Sequence, residues 1–531
     1  PSIGNIKKYE VSTSEDPTNP TNPSNSSNGF QVGGILDAGK TLALDTDNLI
    51  KESSRSHWSR EADGRQVDKG GVGEVLVTRS KRRNLYTNLG DSDLTSETNA
   101  FSTSNGELTA ELLGLGPKDQ LERDRVIQYV QGYDPYTRAK ESTVLKKRRW
   151  ILGSILHSRP LVIRYGNEKA VIFAGANDGM LHAFEDETGE ELWGFIPSEF
   201  LSRLKDLSRG GGLKYYVDGS PKAYITESKK IVIFGLRRGG NHYYALDVTD
   251  AERPRFLWKI GSETPGYSEM GQSWSTPHIG KIRYGTSEKV VCFIGGGYDE
   301  NQDKKTVTTD AKRGRVIYVV DVLTGEQIWR WDYGRDSSMR YSIPSDISRV
   351  DTNGDGYIDR LYVGDMGGRM WRFDLGEPDT NAWSGRILFN SSNGGGKRKI
   401  FYPPDVTLEK GYEMVLFGTG DREHPNETSV TNRFYAVKDR GLNTALTEDN
   451  LEDVTHGLSN KDLENKEGWY ISLEENKGET DVKNFFRLRF SKIREINEKY
   501  AHPRIKMTKG VAVAPFMLRL YLILLVGILA A

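Results

Sequence analysis

Short apolar runs that end in glycine recur along the middle of the chain, and each is followed by a run rich in aromatic residues. The apolar runs begin at Val171, Ile231, Val290, Leu361 and Val415. Runs of this length that are rich in β-branched and aromatic residues predict strands. Segments containing Ser and Pro precede four of the copies and predict one further strand each. The chain is therefore predicted to repeat a small sheet of about four strands.

Sheets this small cannot bury both faces by themselves, so the units are predicted to pack side by side around an axis. The predicted fold class is all-β, a modified β-propeller of about six or seven blades with enlarged loops and a small lead-in segment. The blades are assigned to residues 156–440, and a final blade or closing segment to residues 441–531. Trp193, Trp258 and Trp329 end three of the copies, and we interpret them as packing residues between blades rather than as a ligand-binding box.

The lead-in region, residues 1–155, has a mixed pattern. Residues 18–28 consist of Pro, Asn, Ser and Thr, which predicts a polar surface insertion. The apolar spacing over residues 108–130 predicts a short helical segment. Residues 4–9 are similar to the strand at residues 368–373, so they are predicted to supply a first blade strand that closes the ring.

Composition removes several classes of function. The chain carries 73 basic and 74 acidic residues, and this net charge of −1 lacks the basic excess of a dedicated nucleic-acid-binding protein. Its single cysteine, Cys292, excludes an internal disulfide and leaves no C-x-x-C pair for zinc or redox chemistry. The motifs of serine hydrolases and zinc proteases do not occur in the sequence. Nothing specifies catalysis, and we expect the chain not to be an enzyme.

The sharpest chemical signal is the loop at residues 351–359, which reads Asp-Thr-Asn-Gly-Asp-Gly-Tyr-Ile-Asp. Side-chain oxygens at positions 1, 3 and 5, glycine at 6, a backbone carbonyl at 7 and an acid at 9 follow the calcium-loop spacing. The predicted ligands are Asp351, Asn353, Asp355, the carbonyl of Tyr357, and Asp359. The loop is not an EF-hand, because Tyr362 occupies position 12 and an apolar strand follows.

Calcium is the predicted cofactor of this loop. Three carboxylates within nine residues repel one another unless a cation lies among them. The alternative is an Asx-rich turn that binds no metal.

Two other loops carry weaker signals. Asp299, Asn301 and Asp303 repeat the calcium spacing, but Lys304 stands where the turn glycine belongs, so a second cation site and a solvated blade loop both remain open. Residues 34–41 match the phosphate-loop pattern G-x-x-x-x-G-K-[ST]. A phosphate site is not predicted there, because the preceding sequence is polar and no alternation of strands and helices follows.

The two ends of the chain carry expectations of their own. Polar sequence without an apolar signal region follows Pro1, so we expect the chain to begin inside a longer precursor. Residues 511–531 are apolar except for Arg519, but Pro515 and Arg519 interrupt the stretch of about 18–20 residues that a membrane-spanning helix needs. We interpret this tail as a buried closing strand or an aberrant end rather than as a membrane span.

Several short motifs occur in a fixed order along most of the chain. They are residues 4–9, 37–39, 70–72, 85–87, 152–160, 176–184, 217–221, 271–275, 295–299, 351–359 and 468–471. Together they resemble the C-terminal half of the PilY-type (PilC-type) family of type IV pilus biogenesis and tip-adhesin proteins. The resemblance implies a propeller of the quinoprotein alcohol dehydrogenase type. The amino-terminal von Willebrand-like region of many members lies outside this sequence.

The same resemblance implies a function. Calcium at residues 351–359 would govern extension and retraction of the pilus, and with them twitching motility and cell adhesion. The implied location is the bacterial cell surface, at the pilus tip or the outer membrane, after export through the periplasm. The implied partners are type IV pilus (fimbrial) components such as minor pilins, together with a host or abiotic surface.

A quinoprotein-type dehydrogenase on the same propeller is the alternative. It is motivated by the Thr-Gly-Glu-x-x-Trp ends of the blades, as at residues 188–193. Enzymes of the alcohol-oxidising type place an adjacent cysteine pair beside the cofactor, and Cys292 alone cannot supply such a pair.

Overall fold

The computed structural model describes residues 3–12, 34–137, 145–166, 169–209, 212–304, 309–391, 398–426, 429–455 and 465–473. The predicted polar insertion and the predicted apolar tail lie outside these described residues. Within the described ranges, no helix is both long enough and apolar enough to cross a membrane.

The lead-in region is built from short elements. In chain order these are β1 (Glu10–Val11), β2 (Ile35–Leu36), α1 (Gly71–Thr78), β3 (Leu85–Thr87), α2 (Gln120–Val130), β4 (Tyr133–Asp134) and β5 (Lys146–Lys147). β1 pairs with β2, and β4 with β5, as antiparallel ribbons. The helix in the stretch predicted to be helical is α2, whereas Leu112 and Leu113 lie in turns before it.

The blades follow as five sheets, which we number blades 1 to 5 along the chain. In each of them, four strands pair in an antiparallel arrangement. Blade 1 contains β6 (Leu161–Tyr165), β7 (Lys169–Gly175), β8 (Leu181–Glu185) and β9 (Glu191–Ile196), and is followed by α3 (Lys205–Arg209). Blade 2 contains β10 (Lys222–Ile225), β11 (Lys230–Gly235), β12 (His242–Asp247) and β13 (Arg255–Gly261). Blade 3 contains β14 (His278–Tyr284), β15 (Ser287–Gly295), β16 (Val316–Asp321) and β17 (Gln327–Asp332). Blade 4 contains β18 (Ser348–Val350), β19 (Arg360–Gly364), β20 (Arg369–Asp374) and β21 (Ser384–Asn390).

Blade 5 and the outer edges complete the described fold. The remaining strands are β22 (Asp405–Glu409), β23 (Tyr412–Gly418), β24 (Asn432–Asp439), β25 (Leu446–Thr447), β26 (Glu452–Asp453) and β27 (Gly468–Leu473). β22, β23, β24 and β27 form blade 5. Parallel edge strands extend three blades: β3 joins blade 1, β25 joins blade 4 and β26 joins blade 5. Short 3₁₀ helices lie at Glu97–Asn99, Ser198–Arg203, Arg237–Gly239, Glu300–Gln302, Thr380–Ala382 and Glu448–Asn450.

The propeller class predicted from the repeats is confirmed, with five blades in the described part of the chain where about six or seven were predicted. Each main core lies between two neighbouring blades. Trp193 donates its indole N–H to the Ala251 carbonyl of blade 2 (2.8 Å), and Trp258 donates to the Val322 carbonyl of blade 3 (2.9 Å). These tryptophans therefore connect blades, as their interpretation as packing residues requires.

Residues 4–9 do not form the predicted ring-closing strand. The Gly4 N–H bonds to the Leu152 carbonyl (3.2 Å), and the Trp150 indole N–H bonds to the Gly4 carbonyl (3.0 Å). Asn5 is held against α1, where its Oδ1 accepts the Gly73 N–H (3.1 Å). These contacts hold the start of the segment on the lead-in region, and Lys8 forms an ion pair with Asp186 of blade 1. The strand that the lead-in region adds to a blade is β3 instead.

Strand direction divides the loops between two ends of the propeller. The first strands of neighbouring blades contact one another, β6 with β10, β10 with β14 and β18 with β22, so they surround the axis. Since neighbouring strands are antiparallel, the hairpins between first and second strands share one end, which we call the hairpin end. The turns between second and third strands, and the segments that lead into the first strands, share the other, which we call the axial end.

Candidate calcium loop and a buried charge network

Residues 351–359 connect β18 to β19 at the hairpin end of blade 4. The Ile358 N–H donates to the Lys281 carbonyl on β14 (2.8 Å), and the Tyr357 hydroxyl donates to Glu288 Oε2 on β15 (2.8 Å). The loop therefore packs across the boundary between blades 3 and 4.

Asp351 lies at the centre of the turn. Its Oδ1 accepts the Gly354 N–H and its Oδ2 accepts the Gly356 N–H, both at 2.7 Å, while Asn353 Oδ1 accepts the N–H of Asp355 (2.9 Å). Gly354 and Gly356 have φ angles of 78° and 89°, a backbone region that residues with a Cβ rarely adopt. The backbone N–H groups, that of Gly356 foremost, hold the pKa of Asp351 below its usual value, so this carboxylate is charged at neutral pH.

The other two carboxylates have different neighbours. Asp359 Oδ2 closes the neck of the loop by accepting the N–H and the hydroxyl of Thr352, at 2.8 and 2.7 Å. Asp355 Oδ1 accepts the Tyr357 N–H (2.9 Å), and its Oδ2 forms an ion pair with Arg283 of blade 3. The predicted ligands thus share one loop, but Asp355 is paired with a neighbouring blade.

The residue types fit a hard cation, because carboxylate, amide and carbonyl oxygens are the ligands that calcium takes. Their present arrangement is not that of a metal cage: in the part of the chain that the structure describes, no three His, Cys, Asp or Glu side chains are grouped so as to hold a metal ion. One of the predicted ligands, Asp355, is engaged in the ion pair with Arg283. Calcium binding by Asp351, Asn353, Asp355, Tyr357 and Asp359 stays a prediction.

The loop at residues 299–303 has a geometry that favours a structural anchor over a second cation site. Asp299 Oδ1 accepts the Asn301 N–H (3.0 Å), and its Oδ2 accepts the backbone N–H groups of Lys312 and Arg313 (2.5 and 3.2 Å). Both carboxylate oxygens of Asp299 therefore accept hydrogen bonds from backbone N–H groups. Asp303 is more exposed, and its Oδ1 lies 3.8 Å from His424 Nε2.

The segment at residues 34–41 lacks the surroundings of a phosphate loop. It consists of the two-residue strand β2 and a turn in which Asp37 Oδ1 accepts the N–H groups of Gly39 and Thr41 (2.9 and 3.0 Å). Bridges and turns rather than a helix follow Lys40. The N–H groups that would face a phosphate are thus bonded to Asp37, in agreement with the sequence interpretation.

A buried charge network lies where the lead-in region meets blade 1. His182 on β8 is fully buried, with its Nδ1 2.7 Å from Glu191 Oε1 and its Nε2 3.1 Å from Asp178 Oδ1. Arg83, two residues before β3, donates to both Glu191 oxygens at 2.6 Å. Asp178 Oδ2 accepts the Gly153 N–H (2.9 Å). Two positive and two negative side chains thus compensate one another inside the protein.

Mutual attraction keeps these groups charged in spite of burial. Burial alone would lower the pKa of His182, but the charges and hydrogen bonds of Asp178 and Glu191 outweigh it and raise the pKa to about 9. Burial would likewise raise the pKa of Glu191, yet Arg83 and His182 hold it well below its usual range. Residues 176–184 were predicted as part of the first blade copy and as a motif of the resemblance, but not as part of a charge network, because Arg83 is distant in the chain from His182 and Glu191.

The charge on His182 predicts a pH dependence of stability. Because folding raises the pKa from 6.5 to about 9, the stabilisation is complete below about pH 6.5 and is lost as the pH rises through about 9. We expect the free energy of unfolding, measured by urea denaturation, to fall more steeply over this range in the wild type than in His182→Gln, which cannot titrate. Equal slopes for the two proteins would show that His182 is not charged in the folded state.

Cys292 has no sign of reactive chemistry. It lies on β15 with a relative exposure of 1%, and burial raises the pKa of its thiol to about 12. The thiol therefore stays protonated and acts as a small apolar side chain of the core between blades 2 and 3.

Comparison with known proteins relates the chain to one family. A family model described as the PilY1 beta-propeller domain matches residues 164–465, more than half of the chain. The type IV pilus biogenesis factor PilY1 of Pseudomonas aeruginosa (strain UCBPP-PA14) is 28% identical over 437 residues, which cover 70% of this chain and 36% of that protein. A PilY1 homolog of Xylella fastidiosa (strain Temecula1 / ATCC 700964) is 25% identical, covering 83% and 36%. The chain spans about a third of the length of these curated relatives.

Two solved structures are similar to the chain at low scores. The crystal structure of the Pseudomonas aeruginosa PilY1 C-terminal domain has a TM-score of 0.45 at 24% identity, covering 58% of this chain and 71% of that one. A quinohemoprotein alcohol dehydrogenase of Comamonas testosteroni has a TM-score of 0.34 at 15% identity, covering 61% and 46%. Scores this low say nothing about function.

Proposed function

The chain belongs to the PilY1 β-propeller family, and on that premise we propose that it is the propeller of a type IV pilus assembly and adhesion protein. The observation that carries the proposal is the family match, which spans residues 164–465 and so includes strands of all five blades. Relatives of the chain are named type IV pilus biogenesis factors. Its place would be the bacterial surface, at the pilus tip or outer membrane, and its partners pilus components and an attachment surface.

The finer part of the proposal is that residues 351–359 bind calcium and that the ion controls extension and retraction of the pilus. Support comes from the ligand types, from the turn that wraps around charged Asp351 and from the position of the loop between two blades. Free calcium at about one hundred times its Kd would stabilise the folded state by about 2.7 kcal/mol. That free energy is enough to order a loop.

Arg283 gives this control a physical route. Its guanidinium now pairs with Asp355, and calcium bound to Asp355 would compete for the same carboxylate. Arg283 belongs to β14, so the exchange of one cation for the other would alter the contact between blades 3 and 4. A change confined to one boundary suits a propeller, because its blades contact only their neighbours.

The test uses a strain that lacks the whole protein and is complemented with matched variants. We expect the deletion to abolish surface pili, wild type to restore them, and Asp359→Asn to alter pilus number or twitching motility at equal protein level. Asp379→Asn is the control, because Asp379 is an exposed carboxylate in a similar turn of the same blade, where it accepts the Asn381 N–H (2.9 Å).

The two levels of the proposal fail separately in this experiment. Normal pili in the deletion strain would refute the role in pilus assembly. Wild-type behaviour of Asp359→Asn would refute calcium control while leaving that role in place. The alternative function is that of a dehydrogenase. In that case the purified protein would reduce a dye when alcohol is added.

A further inference from the structure

A cluster of arginines around a tryptophan lies at the axial end, opposite the calcium loop. Arg237 and Arg238 come from the turn between β11 and β12 of blade 2, Trp274 precedes β14 of blade 3, and Arg422 follows β23 of blade 5. We call these four residues the axial cluster. They meet because all of these segments lie at the same end of the propeller.

Arg237 is built into the interior of this cluster. Its relative exposure is 5%, and its guanidinium carbon lies 3.9 Å from the centre of a Trp274 ring. Its Nη1 lies 3.4 Å from Asp218 Oδ2, which is also 2.7 Å from His157 Nδ1. Its Nη2 is buried and has no hydrogen-bond partner among the described residues. Since buried charged donors are almost always paired, this N–H group indicates a ligand.

The backbone of Arg237 is also unusual. Its φ angle is 52°, in the left-handed region that residues other than Gly, Asn and Asp seldom adopt. Strained conformations of this kind concentrate at binding and catalytic sites, where the surrounding structure holds them in place. Here the conformation keeps the Arg237 side chain stacked on Trp274.

The other two arginines bring positive charge to the same place. Arg238 lies 5.3 Å from the centre of a Trp274 ring and forms an ion pair with Glu423, from the blade 5 loop that also carries Arg422. Arg422 is exposed and has no carboxylate partner in the described part of the chain. Its charge adds to burial in lowering the pKa of Arg237 to about 10. Arginines that repel one another in this way indicate a counter-ion.

We propose that the axial cluster binds a carboxylate, which accepts a hydrogen bond from Arg237 Nη2 and pairs with Arg422. Guanidinium groups match planar carboxylates in shape, and Trp274, itself stacked on Tyr298, holds the Arg237 guanidinium in place. Because Asp218 and Glu423 already pair with two of the three arginines, the remaining positive charge matches a single carboxylate better than a doubly charged phosphate. The carboxylate belongs either to an acidic side chain of a bound protein or to a free small acid.

The test measures binding to the purified chain with four probes by calorimetry. These are butyrate, a capped peptide with one Glu, the same peptide with Gln, and inorganic phosphate. We expect the Glu peptide or butyrate to bind, and the Gln peptide not to bind. Tighter binding of butyrate would identify a free acid as the source, and tighter binding of the Glu peptide a protein side chain.

Variants assign the binding to the axial cluster. Arg422→Gln changes an exposed residue, and Arg237→Asn introduces a side chain that tolerates the left-handed backbone, so both are expected to fold. Each is expected to weaken carboxylate binding at least tenfold. Arg149→Gln, at a side chain 96% exposed and outside the cluster, is expected to bind as wild type does. No binding of either carboxylate probe, phosphate binding tighter than both, or unchanged affinity in the two variants would overturn the proposal.

Discussion

Replacing Glu191 by alanine is expected to lower the free energy of unfolding by about 3–5 kcal/mol, the loss typical when one partner of a buried ion pair is removed. The substitution leaves Arg83 and His182, both with side chains 0% exposed, without the carboxylate that they share. Urea denaturation at neutral pH measures the loss. Because Arg83 lies two residues before β3, hydrogen exchange at residues 85–87 is expected to accelerate as well.

Glu190→Ala is the matched control, because Glu190 is the exposed neighbour of Glu191 in the chain. Its effect is expected to stay within about 0.5 kcal/mol, as for most surface substitutions. A loss below about 1 kcal/mol for Glu191→Ala would show that the buried charges are not needed to join the lead-in region to blade 1.

Asp359→Asn is expected to weaken calcium binding at least tenfold. The change removes one negative charge from the loop but keeps an oxygen that can accept the Thr352 N–H, so the neck of the loop is preserved. Isothermal titration with calcium measures the affinity, for which we expect a wild-type Kd within about 10⁻⁷ to 10⁻⁵ M. Asp379→Asn serves again as the control that should not change the affinity.

Arg283→Gln tests the same site in the opposite direction. Removing this guanidinium releases Asp355 from its ion pair, so calcium no longer has to compete for the carboxylate. We expect tighter binding than in the wild type. If neither Asp359→Asn nor Arg283→Gln changes the affinity, residues 351–359 are not the calcium site.

Local patterns in the sequence determined the strands and the turn around Asp351. The apolar runs predicted the blades because a strand needs only a few consecutive residues of suitable type, and repetition makes the pattern unmistakable. The turn at residues 351–359 follows from spacing because the hydrogen bonds within the turn join residues at most seven positions apart. Contacts of this kind can be predicted from residues that lie close together in the sequence.

Tertiary structure alone decided which charges meet. Arg83 and Glu191 are 108 positions apart, and Arg283 and Asp355 are 72 apart, with no period that links them. Likewise, the axial cluster draws on three blades, and residues 4–9 pack on the lead-in region although their pattern resembles a blade strand. These partners are selected by how the blades and loops pack in space, because burial and distance, rather than spacing along the chain, set the strength of an ion pair.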